Sequence, residues 1–170
     1  MLSPCLMFYG RSVSKITLGG IPMKKKRFIG SMVIVGSLLF GGLAGAAGFN
    51  GWPTLSQGSS GGYVTGLQAA LYSYGQQPTI GSIDGSFGSG TTTGLKNMQK
   101  ATGITADGVA GSGTWNQMDY NSIFESSTSW LLHTPYSSTY QTSYGESGSR
   151  ITYRLMYKDT STIVQSGYVK

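Results

Sequence analysis

One eight-residue phrase occurs twice in this chain, and it constrains the fold more than any other feature. Asp84-Gly85-Ser86-Phe87-Gly88-Ser89-Gly90-Thr91 returns as Asp107-Gly108-Val109-Ala110-Gly111-Ser112-Gly113-Thr114. Each copy joins an Asp-Gly turn, a glycine free to take positive φ, a serine suited to N-capping and a threonine in the turn that follows. Both copies therefore turn the chain sharply and launch a helix. Ile83 and Phe87 beside the first turn, and Val109 beside the second, are placed to pin the turns onto a core.

The segments between the turns carry helical periodicity. Val64, Leu67, Gln68 and Leu71 recur at i, i+3, i+4 and i+7, with Ser59 or Ser60 as the expected cap and Gly75 as the stop. A second helix is expected from Thr91 to about Thr102, with Leu95, Met98 and Ala101 on its buried stripe and Gly103 ending it. A third opens near Thr114, turns Trp115 and Met118 inward and ends around Asn121. Gln68 and Gln99 fall near helix interiors, where their amides are suited to satisfying backbone groups of the turns.

Read together, Trp52-Pro53, Leu55, Gly58, Gly61, Val64, Leu67-Gln68, Leu71 and Gly75 open a recognisable pattern. Ile83-Asp84-Gly85, Phe87-Gly88, Thr91, Leu95-Lys96, Met98-Gln99, Gly103-Ile104, Asp107-Gly108-Val109, Gly111 and Thr114-Trp115 complete it. This spacing over residues 52–118 resembles the bacterial peptidoglycan-binding module of the PG_binding_1 type. The resemblance implies a three-helix fold that tethers secreted proteins to peptidoglycan. Met98 stands where the family usually has Phe, Gly94 where Ala is typical and Ser89 where Pro is common. A helical Gly94 is expected to cost roughly 0.5–1 kcal/mol relative to Ala.

The formal charge of +6 does not point to nucleic acid. Arg11, Lys15, Lys24, Lys25, Lys26 and Arg27 precede Ala47 without an acid among them, and the six later cations meet six acids. From Ala47 onward the chain is neutral, with no basic face for phosphates. The early cations read instead as part of a leader: Lys24 to Arg27 are followed by the uncharged Phe28–Phe40 and by Ala44-Gly45-Ala46, the order of a secretory signal peptide. Gly and Ser break the apolar run, which argues for cleavage over a stable membrane anchor. Met23 directly precedes Lys24, and Leu18-Gly19-Gly20 can be encoded as TTA GGA GGN, which contains a ribosome-binding sequence. Residues 1–22 are thus expected to be untranslated leader and 23–46 the signal peptide.

No catalytic set assembles from the remaining residues. His133 is the one histidine and Cys5, in the doubtful leader, the one cysteine, which leaves neither a zinc ligand set nor a thiol nucleophile. Glu125-Ser126 resembles the Glu-Ser of lytic transglycosylases, but the Gly-Leu-Met-Gln segment that should follow is absent. No cofactor or metal is expected.

From about Ser126 the chain turns to Ser, Thr and Tyr. Ile151, Tyr153, Leu155 and Tyr157 alternate with polar neighbours as the buried side of a strand, Asp159-Thr160-Ser161 turns, and residues 162–169 return as its hairpin partner. A third strand over 136–144 is possible in that pattern.

The expected architecture is mainly α: a small three-helix module over 47–125, followed by a short β-rich hairpin extension over 126–170. The expected function is non-catalytic binding of peptidoglycan by a secreted, wall-associated protein, without nucleic acid and with anionic wall polymers or a wall hydrolase as further candidate partners. Two alternatives stay open: the tail modulates or inhibits a wall hydrolase, or carries a small wall-directed or toxic activity of its own. Trp52, Tyr63, Tyr72 and Tyr74 are the candidate sugar-stacking aromatics. Asp84 and Asp107 are candidates for sugar hydroxyls, although their turn geometry already accounts for them. Arg150, Arg154 and Lys158, spaced by four along one strand, are candidates for anionic wall groups. N-terminal sequencing of the exported protein is expected to begin at Ala47 or one residue later; a product still carrying Lys24 overturns the leader assignment.

Overall fold

The computed structural model describes residues 48–170; the leader, the start at Met23 and the cleavage site lie outside them. Four helices come first: α1 (Gly62–Ser73), α2 (Gln77–Ile80), α3 (Ser89–Thr102) and α4 (Ser112–Tyr120). Five strands follow: β1 (Ser122–Glu125), β2 (Trp130–His133), β3 (Tyr140–Ser147), β4 (Arg150–Tyr157) and β5 (Ile163–Tyr168). They pair in the order β1-β2-β3-β4-β5, each antiparallel to the next.

The mainly-α expectation is therefore wrong. The segment after the third long helix is a full five-stranded antiparallel sheet, not a short hairpin, and the helical part has a fourth, one-turn helix in α2. β1 and β2 are four residues each, too short for periodicity to show. The turn between them contains Ser129 at φ 57°, a left-handed position that sequence normally signals with glycine.

The repeat does launch helices, but not through serine caps. Gly88 and Gly111 occupy the N-cap positions of α3 and α4, Gly61 that of α1, and none of the three has a side-chain capping bond. Gly103 takes αL and closes α3, as expected. Leu95 and Met98 are buried in α3 while Ala101 is exposed. Gly94 is explained by α2: a Cβ at Gly94 would run into Ile80 Cγ2, so the missing methyl lets the one-turn helix dock. The expected helix penalty is exchanged for a close approach.

What holds the two turns in place is glutamine. Gln68 Oε1 accepts from the backbone amides of Asp84 (3.1 Å) and Gly85 (2.9 Å), and its Nε2 donates to Asp84 Oδ1, Ser86 O and Thr91 Oγ1. Gln99 repeats the arrangement, accepting from Gly108 N (2.9 Å) and donating to Asp107 Oδ1, Val109 O and Thr114 Oγ1. Gly85 and Gly108 sit at φ 75° and 77°, which makes glycine the residue for both positions. Each turn is also bridged to the preceding segment, Phe87 N to Ser59 O and Ala110 N to Leu55 O.

α1 is buried on two sides. Val64, Leu67 and Leu71 form one buried stripe and Gly66, Ala69, Ala70 and Ser73 the opposite one, and the helix packs against both α3 and the sheet. Tyr144 Oη donates to Gly66 O (2.9 Å) and Thr142 Oγ1 to Ala69 O (2.9 Å), so β3 lies directly on the helix backbone. A Cβ on Gly66 would approach Trp52 Cη2 to 2.8 Å and Val169 Cγ2 to 3.0 Å. Helices and sheet thus share one core, with Trp115 and Met118 buried in it as expected.

Gln68→Leu keeps the volume and removes every bond to the first turn. Leaving the buried Asp84 and Gly85 amides without an acceptor is expected to cost about 2–4 kcal/mol. Urea unfolding measures it, and a midpoint equal to wild type overturns the role given to Gln68.

Candidate functional site

The residues singled out from sequence do not gather at one place. They fall into three groups: the turn carboxylates, the aromatics and the strand cations.

Asp84 and Asp107 are exposed at the tips of the two clips. Each receives its glutamine's amide through Oδ1 and, through the same oxygen, the backbone N–H two residues on, Ser86 N at 2.8 Å and Val109 N at 2.9 Å. The Gln68 amide, then the Ser86 N–H, hold the Asp84 carboxyl below the ordinary range. For Asp107 the Val109 N–H leads and the Gln99 amide follows. Both stay ionised through neutral pH. Beside the second clip runs a shallow cleft of about 330 Å³, bounded by Ile104, Thr105, Asp107, Gly111 and Ser112.

Two of the four candidate aromatics belong to the core. Trp52 is 7% exposed and Tyr74 4%, so neither presents a free ring face to a sugar. Trp52 packs edge-on against Phe49, Tyr63 and Tyr144 and tilted against Trp115, and Tyr74 stands against His133. Tyr63 and Tyr72 are half-buried; the Tyr72 hydroxyl donates to Gly81 O at 2.7 Å and so ties α1 to the end of α2. Sequence reasoning passed over a further set. Tyr140 and Tyr157 stack at 5.6 Å, Tyr72 meets Tyr140 edge-on at 5.2 Å, and Tyr136 is 56% exposed beside Tyr74. Tyr157 was expected inside; it faces the helix side of the sheet but lies beyond the cover of α1.

The cations are not a uniform stripe. Arg154 lies over the Trp130 ring, 3.8 Å from its centroid, and Arg150 over Tyr168 at 5.1 Å. Lys158 leaves the row: its Nζ donates to Ser137 O (2.9 Å) and Thr134 O (3.4 Å) and ties down the β2–β3 connection.

His133 is sealed in the core. The Ser122 hydroxyl donates to Met118 O (2.7 Å), so the His133 Nδ1–H donates to Ser122 Oγ (2.8 Å) and Nε2 remains a bare acceptor in apolar surroundings. Burial pulls the imidazole down to about 3. A group reached by neither solvent nor substrate does not serve as a general base. Glu125 is exposed and accepts from Thr128 Oγ1 at 3.2 Å. Among the described residues no three His, Cys, Asp or Glu come together as a metal site, and no helix is long and apolar enough to cross a membrane.

Residues 60–118 match the model of a family described as a putative peptidoglycan binding domain. The resemblance drawn from the sequence is thereby shown for that stretch, which spans α1 to α4. Over 65 residues the chain is 42% identical to a zinc D-Ala-D-Ala carboxypeptidase of Streptomyces albus G, covering 38% of this chain and 26% of that protein. Over 79 residues it is 37% identical to an uncharacterized protein of Kitasatospora aureofaciens, covering 46% of this chain and 65% of the relative. The chain thus spans about a quarter of the first and just under two thirds of the second.

His133 gives the fold a pH signature. Unfolded, it titrates near 6.5; folded, near 3. Between these values the unfolded state binds a proton that the folded state does not. Stability is therefore full above about pH 6.5 and falls by roughly 1.4 kcal/mol per pH unit on the way down toward 3. Asp84 and Asp107, held low, act in the same direction only below about pH 4; Asp119, whose carboxyl is raised by burial, acts against His133 just above that. Urea midpoints from pH 7 to 4.5 are expected to slide in wild type and stay level in His133→Gln; a level wild-type curve contradicts the assignment.

Proposed function

We propose that this chain is an exported, wall-associated protein that binds peptidoglycan and does not cleave it. The observation that carries the reading is the family match over 60–118, the same residues that the Gln68 and Gln99 clips hold together. The stretch shared with the D-Ala-D-Ala carboxypeptidase amounts to 26% of that enzyme, so we take it as the wall-holding part and not as the source of peptidase activity. Non-catalysis is supported by the burial of His133 and by the setting of Glu125. The groove beside Glu125 is lined by Thr128, Trp130, Gln141, Arg154 and Lys158, with no second carboxylate among its described residues to make an acid–base pair.

Within the helical part, the groups singled out from sequence that keep surface toward the wall are the half-exposed Tyr63 and Tyr72 and the second carboxylate oxygens of Asp84 and Asp107. Trp52 and Tyr74 contribute by shaping the core beneath them. The turn carboxylates are rigid as well as charged, since each is already fixed through its other oxygen, so a sugar hydroxyl meeting them orders little further.

Co-sedimentation of the full chain with purified insoluble peptidoglycan tests the reading. The chain is expected in the pellet, with no soluble muropeptides released after prolonged incubation. A chain that stays in the supernatant rules out wall binding, and released fragments rule out the non-catalytic role.

A further inference from the structure

The sheet has one face covered by α1 and one face covered by nothing in the described chain. Tyr144 and Thr142 reach the helix, so alternation along the strands assigns the opposite face to their neighbours. That face carries Ile123 and Glu125 from β1, Trp130 and Leu132 from β2, Gln141 and Ser143 from β3, Arg150, Arg154 and Met156 from β4, and Tyr168 from β5. An open antiparallel face is ordinarily polar. Here Ile123 is 62% exposed and Tyr168 61%, with Trp130, Leu132 and Met156 half-exposed between them. Exposed apolar area of this kind with cations set into it marks a surface that meets something.

The cations are placed and not merely present. Gly145 lies across from Trp130, and any Cβ there would come within 2.5 Å of Trp130 Cε2, so the indole lies flat on the sheet over the glycine. Arg154 then stacks on that ring, and Arg150 on Tyr168. Stacking fixes the plane of a guanidinium while leaving its edge N–H donors pointing outward. Neither arginine has a carboxylate partner among the described residues; Glu125 shares the groove but bonds to Thr128. Protection of a sheet edge does not account for them, because β4 is an interior strand of the order β1-β2-β3-β4-β5.

We propose that this open face is a second ligand surface, on which Arg154 and Arg150 take free carboxylates of the peptides attached to wall glycan while Trp130, Met156 and Tyr168 cover their apolar side chains. The planar, bidentate fork of each arginine fits a carboxylate, and the two forks lean to opposite sides of β4, Arg154 toward Trp130 of β2 and Arg150 toward Tyr168 of β5, suited to two separate carboxylates. Lys158, occupied by Ser137 and Thr134, takes no part. The inference rests on the proposed wall binding and adds to it a division of labour: the helical part holds the wall, and the sheet reads its peptides.

The test compares wild type with Arg150→Gln/Arg154→Gln, in the full chain, on two preparations of insoluble peptidoglycan at low salt. One is untreated; in the other the peptide carboxylates are converted to neutral amides by carbodiimide coupling. On untreated wall the double variant is expected to bind about five- to tenfold more weakly, the effect of losing two partly exposed charge pairs. On blocked wall wild type is expected to fall to the level of the variant. Arg154→Lys, which keeps the charge and loses the fork, is expected to recover only part of the difference. Thermal midpoints of both variants should equal wild type, since the two arginines bury no core. Equal binding of wild type and double variant to untreated wall overturns the proposal. So does a wild-type advantage that survives blocking, which would mean a phosphate polymer or another anion in place of the carboxylate. Wild type sedimenting with neither preparation is the failure of wall binding itself and removes this proposal with it.

Discussion

A buried glutamine reading the backbone of a turn is the interaction on which the rest of this structure depends. Gln68 and Gln99 are each about 1% exposed; Gln68 satisfies two inward amides of its Asp-Gly turn and Gln99 one, while the amide of each is taken up by the turn aspartate, a carbonyl and a threonine. A turn of this tightness leaves N–H groups pointing inward, where water cannot serve them, and each would cost heavily if unpaired. Because the turn's first residue and the threonine seven positions later bind the same glutamine, the clip also sets where α3 and α4 begin. Small serine-free caps at Gly88 and Gly111 are then sufficient, since the helix start is fixed from inside.

From that scaffold α1 inherits an unusual position. It is held against α3 on one side and against β3 on the other, and its small residues are what permit the second contact. Gly66 and Ala69 offer bare backbone carbonyls to Tyr144 and Thr142, so the sheet is joined to the helix by hydrogen bonds to main chain as well as by packing. Phe49 completes the junction. It is fully buried among Trp52, Trp115, His133 and Tyr144, and its N–H donates to Asp119 Oδ1 at 2.8 Å. Helical part and sheet therefore share one core.

Joining the sheet by one face leaves the other open, and the division has chemical consequences. The covered face selects Tyr, Thr and Leu that fit a helix backbone; the open face is under no such demand and yet is aromatic, apolar and cationic. The same alternation places Arg154 and Leu155 on opposite sides of one strand, so one stretch of chain builds the junction and offers charge to the outside.

The sequence alone determined the elements whose signal is local. The repeated Asp-Gly phrase, the periodicity of Val64, Leu67 and Leu71, and the inward Trp115 and Met118 were all legible because turn chemistry and a 3.6-residue period act over a few neighbours. So was the strand pairing around Asp159-Thr160-Ser161. The partners of the two glutamines were foreseeable in kind, since a buried amide must be satisfied. What only the tertiary structure decided depends on residues distant in the chain. Ala69 and Ala70 lie outside the periodic stripe and are nonetheless fully buried, because a small residue's role is set by what approaches it. Gly94 read as a defect and is the seat of α2. Trp52 and Tyr74 read as free aromatics and are core, because Phe49 and the sheet close over them. β1 and β2, four residues each, acquire their strand identity only from neighbours that lie across the sheet, and no periodicity confined to four residues carries that information.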